Sequence, residues 1–252
     1  MKCRLSANFT SLDDMRRNLI VAAAAGVAVI VLAGVGGYVY FFSNLRSSPT
    51  TLGLSASPSP AATTPAGLAG TWKVSTGSLA GYRVQELFVG ETSKHLAVAR
   101  TSNVSGGLTV SGISSDGSGY QVNGITLTAD LSSLQSVDTV AGRNVAQRDG
   151  VVSRQLNVQQ FPKATFSAPS ASVPGTVSTS QVDVTVAGRL TIRGVTKDVT
   201  VTAKAQVVGD RIEIAGTTSI NMTDYGVTPP QLPFTTVDPT ATIDFDVFLV
   251  RS

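Results

Sequence analysis

The stretch GRLTIRGVTKDVTVTAKAQVVGDRIEIAG, residues 188–216, alternates apolar and polar side chains almost without a break. Leading into and through it, Val184, Val186, Leu190 and Ile192 share one face. After a turn come Val199, Val201, Ala203, Ala205 and Val207, then Ile212 and Ile214. A period of two over this length predicts long antiparallel strands with one apolar face. Such a face must be covered, either by the domain's own side chains or by a guest.

The neighbouring sequence repeats the pattern. GYRVQELFVG places Tyr82, Val84, Glu86 and Phe88 on one face. YQVNGITLTADLSSL does the same with Ile125, Leu127, Ala129 and Leu131, and ATIDFDVFLV closes the chain with Ile243, Phe245, Val247 and Leu249. HLAVARTSNVSGGLTVSG reads as two short strands parted at Gly106-Gly107, a hairpin signal. ATFSAPSASV is a strand ended by Pro174-Gly175, and AQRDGVVSRQLNVQQFP alone reads as helical. About eight to ten strands with one helical insertion predict an antiparallel sandwich or barrel. An eight-stranded barrel can be filled by side chains or hold one small ligand. Small inward residues such as Gly188, Ala203 and Ala205 leave volume in a wide barrel, yet a packed sandwich would use the same residues as core. The pattern leaves both open.

Upstream the chemistry changes twice. NLIVAAAAGVAVIVLAGVGGYVYFF carries no charge from Asn18 to Phe42, long enough for the roughly 20 apolar residues that cross a bilayer. It exceeds the ~7–15-residue core of a cleaved signal, so the reading is an uncleaved anchor over residues 19–42. Lys2, Arg4, Arg16 and Arg17 precede it and Arg46 follows, which places residues 1–18 in the cytoplasm and the C-terminal domain outside. Residues 43–69 hold six Ser, four Thr and four Pro, a composition that predicts a flexible, disordered linker. Residues 70–252 then form the globular domain.

Charge and nucleophile content exclude several functions. The net charge of +3 belongs to the anchor and its flanks, because residues 70–252 contain 14 basic and 14 acidic side chains. No basic face for nucleic acid is expected. Cys3 is the only cysteine, His95 the only histidine, and no Gly-x-Ser-x-Gly elbow occurs. His95 reads as a strand start near the surface, and one histidine among scattered carboxylates makes no zinc site. The expectation is a protein that is not an enzyme and needs neither metal nor cofactor. Glu86 is expected to reach toward the interior and pair with an arginine such as Arg100 or Arg148. Arg148 and Asp149 are expected to cap the helical insertion or pair with each other. The loop MTDYGVTPPQLPF is expected to cover a barrel mouth.

GSLAGYRVQELFVG, VAQRDGVVSRQLNVQQFPKATF, GRLTIRGVTKDVTVTAKA and MTDYGVTPP, in this order, resemble the YceI-like domain over residues 70–252. The resemblance implies an all-β, antiparallel, lipocalin-like barrel with a short helical insertion. It also implies an elongated apolar cavity for a polyisoprenoid or isoprenoid quinone. Many relatives carry histidine where this chain has Glu86, and the match is nearer to the subgroup with Gly-Tyr-Arg-Val-x-Glu. Cavity lining is then expected from Tyr82, Val84, Glu86, Phe88, Leu127 and Phe166. Leu190, Ile192, Val201, Ala203, Ala205 and Ile214 are expected to add to it, with Phe245 and Val247. The partners implied are a lipid ligand and, through the N-terminal helix, a membrane; the oligomeric state stays open. The competing reading is a packed β-domain serving as an envelope interaction or stress module without a ligand.

Overall fold

The decisive stretch folds as two hairpins. Ile192 pairs with Val195 across Arg193 and Gly194, both at positive φ (52° and 75°), the left-handed pair that a two-residue turn between twisted strands requires. The second hairpin turns at Gly209, where Val208 pairs with Arg211. The computed structural model describes residues 12–42, 46–55, 67–113 and 119–252.

Two units result, residues 1–47 and 48–252. In the first, helix α1 runs from Leu12 to Phe42. Its segment Leu19–Val39 has a mean hydropathy of 2.6 and is long and apolar enough to cross a membrane. The expected cytoplasmic stretch before Leu12, and Cys3 with it, lie outside the described residues.

Among the described residues, the second unit contains ten strands of five residues or more. They are β1 (Gly70–Val74), β2 (Leu79–Phe88), β3 (His95–Thr101), β4 (Val104–Ile113), β5 (Gly119–Asp130), β6 (Lys163–Pro174), β7 (Val182–Ile192), β8 (Val195–Val208), β9 (Arg211–Asn221) and β10 (Thr235–Arg251). Helix α2 (Gln147–Leu156) lies between β5 and β6. The order β9-β8-β7-β6-β5-β4-β1-β10 closes through β9–β10 pairing, an antiparallel eight-stranded barrel. One edge of β10 is shared, by β2 along Thr235–Asp246 and by β1 along Leu249–Arg251. β3 then pairs with β2, so the wall is extended at the end where β2 finishes.

The hairpin expected at Gly106-Gly107 does not form. Both residues lie within β4, and the chain bends instead at Ser102 and Asn103. The glycines serve close strand approach. A Cβ on Gly106, at φ 135°, or on Gly107 would collide with the carbonyl oxygens of Thr126 and Trp72.

Part of the expected linker is also ordered. Ser48–Ser55 lies along the outer barrel wall, where the Leu52 N–H donates to Asp244 Oδ2 (3.1 Å) and Ser55 donates through N–H and Oγ to Glu213 Oε1 (both 2.7 Å). Gln206 donates to the other Glu213 oxygen (2.6 Å). Asp244 and Glu213 are fully buried, and Arg83 and Arg100 stand 3.8 and 3.6 Å from Asp244. Serine-rich composition predicts poor burial of apolar surface, but this strap docks through backbone and hydroxyl hydrogen bonds. Leu68, also in the expected linker, is buried against Trp72, whose indole N–H donates to its carbonyl (2.9 Å). Residues 56–66 lie outside the described residues.

Candidate functional site

The barrel's two ends differ. At the end holding β1 and the start of β7, Leu68, Trp72, Leu108, Val110, Val182 and Val184 form a continuous buried core. In mid-barrel, aromatic rings meet glycine. The Phe166 ring lies 2.5 Å from where a Gly188 Cβ would stand, and Phe245 lies 2.8 Å from the equivalent point on Gly216. Large side chains therefore occupy the volume that small residues leave.

Beyond them opens an apolar cavity of about 800 Å³, within the ~300–1,000 Å³ typical of ligand sites. β2 contributes Ala80, Tyr82, Val84, Glu86 and Phe88, alternating inward as the pleat requires. Leu190, Ile192, Ile220, Ala241 and Ile243 supply further wall. α2 is the roof: Arg148, Val151, Val152, Gln155 and Leu156 all face the cavity, at the i, i+3, i+4, i+7, i+8 spacing of one helix face. The helix stops at Asn157, in the left-handed conformation (φ 50°). Tyr225, Val227, Leu232 and Phe234 come from the proline-rich loop.

A buried charge network fastens the roof to the wall. Arg148 donates to Glu86 Oε1 (2.6 Å) and Asp138 Oδ1 (2.7 Å), while Asp138 Oδ2 lies 2.7 Å from His95 Nε2 and its Oδ1 accepts from the Val98 N–H (3.0 Å). Asp149 accepts from the N–H and Oγ of Ser136 (3.0 and 2.7 Å). Burial alone would raise the Asp138 pKa, but the hydrogen bonds from His95, Arg148 and Val98 prevail and hold it at about 2. Burial opposes the Arg148 charge too, and its carboxylate partners raise its pKa regardless. The three possible ligand atoms of Glu86, His95 and Asp138 lie within 4.8 Å of one another. The guanidinium already bonds both carboxylates, so a metal ion would have to displace it. Tyr82 Oη is buried with no hydrogen-bond partner among the described residues, and burial raises its pKa.

These contacts revise several expectations. Glu86 takes Arg148, while Arg100 sits on the outer wall with Asp244. Arg148 and Asp149 bind the wall rather than each other, and the helix N-cap has no side-chain hydrogen bond. His95 is buried, at 3 % exposure, because Asp138 draws its ring inward.

Of the residues expected to line a cavity, Tyr82, Val84, Glu86, Phe88, Leu190 and Ile192 border this one. Phe166 and Phe245 lie over the two glycines instead. Ala205 belongs to the packed core, Ile214 packs against it, and Val247 pairs with Ile214. Val201 and Ala203 are buried on β8, and Leu127 is half-buried on β5; none borders the cavity. The shared cause is position along the strand. Inward facing was read correctly for these strands, but one face serves both the filled and the hollow half. The roof residues Val151, Val152 and Leu156 were missed, although their helical spacing was the signal.

The model of the YceI-like domain family matches residues 81–249. The chain belongs to the YceI-like domain family. No curated protein matches it. Among solved structures, a polyisoprenoid binding domain from Saccharophagus degradans, implicated in plant cell wall breakdown, is similar at 17% identity with a TM-score of 0.50, covering 73% of this chain and 99% of that one. BcnA of Burkholderia cenocepacia follows at 16% identity and a TM-score of 0.45, covering 66% and 95%. The YCEI protein of Campylobacter jejuni has 17% identity and a TM-score of 0.41, covering 64% and 91%. The first of these supports the same YceI-like barrel for this chain.

Proposed function

We infer that the protein is a membrane-tethered, extracytoplasmic lipid-binding protein that holds a polyisoprenoid or isoprenoid quinone as carrier or store. The observation that carries this reading is the apolar cavity of about 800 Å³ within a barrel whose other end is packed. A long hydrocarbon chain suits such a volume, and the Saccharophagus degradans relative is named for polyisoprenoid binding. Apolar wall would hold the chain. Tyr82, Glu86 and Arg148, polar groups that share this lining with Arg143, Asn144 and Gln155, would face its head group. The reading assigns no bond-making chemistry to the site.

Energetics favour exchange. Burying chain carbon gains roughly 0.8 kcal/mol per CH₂ relative to water, but a polyprenyl lipid leaves a bilayer, not water. The cavity replaces one hydrocarbon environment by another, so the net transfer free energy is small and the lipid can be released. An anchor through α1, oriented by the basic residues before it, would keep the site at high local concentration beside its donor.

The test is native mass spectrometry of the full chain, released from nanodiscs after expression in a host with its own isoprenoids, followed by lipid extraction. One polyprenyl species near unit stoichiometry is expected. A clean apo mass that persists after incubation with quinones and polyprenyl lipids would refute the reading.

A further inference from the structure

We propose that the rim formed by Val89 and Phe234 is a docking surface for a lipid bilayer and the port through which the cavity exchanges its guest. Outside α1, the large exposed apolar side chains among the described residues are Val89 (66 %), Phe234 (56 %) and Val137 (42 %). Two of these three meet. Val89 stands at the tip of the β2–β3 turn and Phe234 at the tip of a second tight turn, between Leu232 and Thr235. The Val89 N–H donates to the Phe234 carbonyl (3.0 Å) and locks the tips side by side. Lys94 and Asp238 form an ion pair nearby (2.7 Å), so that pair brings no net charge to the rim.

One observation selects a bilayer as the occupant: the rim is continuous with the cavity. Phe234 belongs to its lining, as do Leu232 and Pro230 behind it, and Phe88 next to Val89. A hydrocarbon chain could cross from the exposed tips to the interior along apolar surface, which a lipid guest leaving a bilayer requires and a water-soluble partner does not.

The purpose of this port rests on the lipid-binding reading, but docking is measured without any guest. The full chain carrying Phe234→Trp is placed in phosphatidylcholine nanodiscs with or without brominated acyl chains, and the Trp72 signal is subtracted using the unsubstituted chain. Bromolipid is expected to remove most of the added emission. Asp210→Trp, at the opposite end of the barrel, is expected to keep its emission. Val89→Asp, which lies outside the cavity lining, is expected to restore emission in the Phe234→Trp chain. Alone, it should slow uptake of a quinone from the nanodisc about tenfold, as loss of one buried valine side chain allows, and leave the final lipid content unchanged. Emission at residue 234 untouched by bromolipid, or equal quenching at residue 210, overturns the proposal. Self-association abolished by Val89→Asp, without quenching, would give the rim to a second copy and also overturn it. Quenching at residue 234 in a chain that holds no isoprenoid would retain the docking surface while refuting the lipid-binding reading.

Discussion

The barrel's packed end and its hollow end are built from the same strands and the same alternation, yet they differ in what crosses the interior. Trp72, with Leu68 beneath it, fills one end, and the Phe166 and Phe245 rings occupy the middle over Gly188 and Gly216. At the other end the strands continue inward-facing but the wall bends outward onto β2 and β3, and α2 roofs the opening. A strand face thus specifies that something apolar must cover it, not what. The roof needs other means of attachment, and it uses ions.

The largest effect is expected at that attachment. Arg148→Ala leaves Glu86 and Asp138, at 4 % and 2 % exposure, without their shared cation. Breaking a buried pair on one side costs about 3–5 kcal/mol. For a domain of this size the Tm should fall by roughly 10 °C, with faster amide exchange in α2 than in the Trp72 core. Equal exchange at both ends would erase the distinction between roof and core.

Steric substitutions probe the two halves directly. Ala205→Phe enters the packed core and should destabilise by about 1–3 kcal/mol without altering the lipid content of the molecules that fold. Ala164→Phe extends into the cavity and should lower lipid content while costing less than Ala205→Phe in a urea titration. Comparable losses of stability would show the hollow half to be packed.

The smallest effect concerns carboxylates outside and inside the barrel. Asp246 is half-buried with one oxygen unpartnered. Burial, with Glu213 nearby, raises its pKa to about 6 from 3.8. Below about pH 4 it is protonated folded or unfolded. As pH rises from 4 to 6 only the unfolded state ionises freely, so stability falls. Asp246→Asn should remove that loss, raising stability by on the order of 1 kcal/mol at pH 7.5 and little at pH 4. Asp138, held at about 2, runs the other way. Its contribution is present above its ordinary value of 3.8 and disappears as pH falls through 2. Thermal melts of wild type and Asp246→Asn between pH 2 and 8 measure both slopes.

Much of the fold was legible along the chain. The alternation of Val184 through Ile214 and of Tyr82 through Phe88 matches observed strands, and the helical segment before Phe161 matches α2. Gly106-Gly107 misled because glycine marks close strand approach as readily as a turn, and only the neighbours Thr126 and Trp72 distinguish the two. Ser48–Ser55 misled because its partners, Asp244 and Glu213, are nearly 160 or more residues away. Within the site, the β2 lining was legible from period two. Val201, Ala203, Ala205, Ile214 and Val247 showed the same period and proved to lie away from the cavity.

The sequence by itself determined most of the strands, their inward faces, the helical insertion, the uncharged N-terminal run and the near neutrality of the domain. Each follows from side-chain order over a few residues or from composition. Only the tertiary structure decided which inward residues meet a ring and which meet empty space, that Arg148 rather than Arg100 neutralises Glu86, and that the strap lies on the wall. Those outcomes depend on barrel closure, which brings Phe166 over Gly188 and Arg148 to Glu86 from distant parts of the chain. Local periodicity carries no record of that distance.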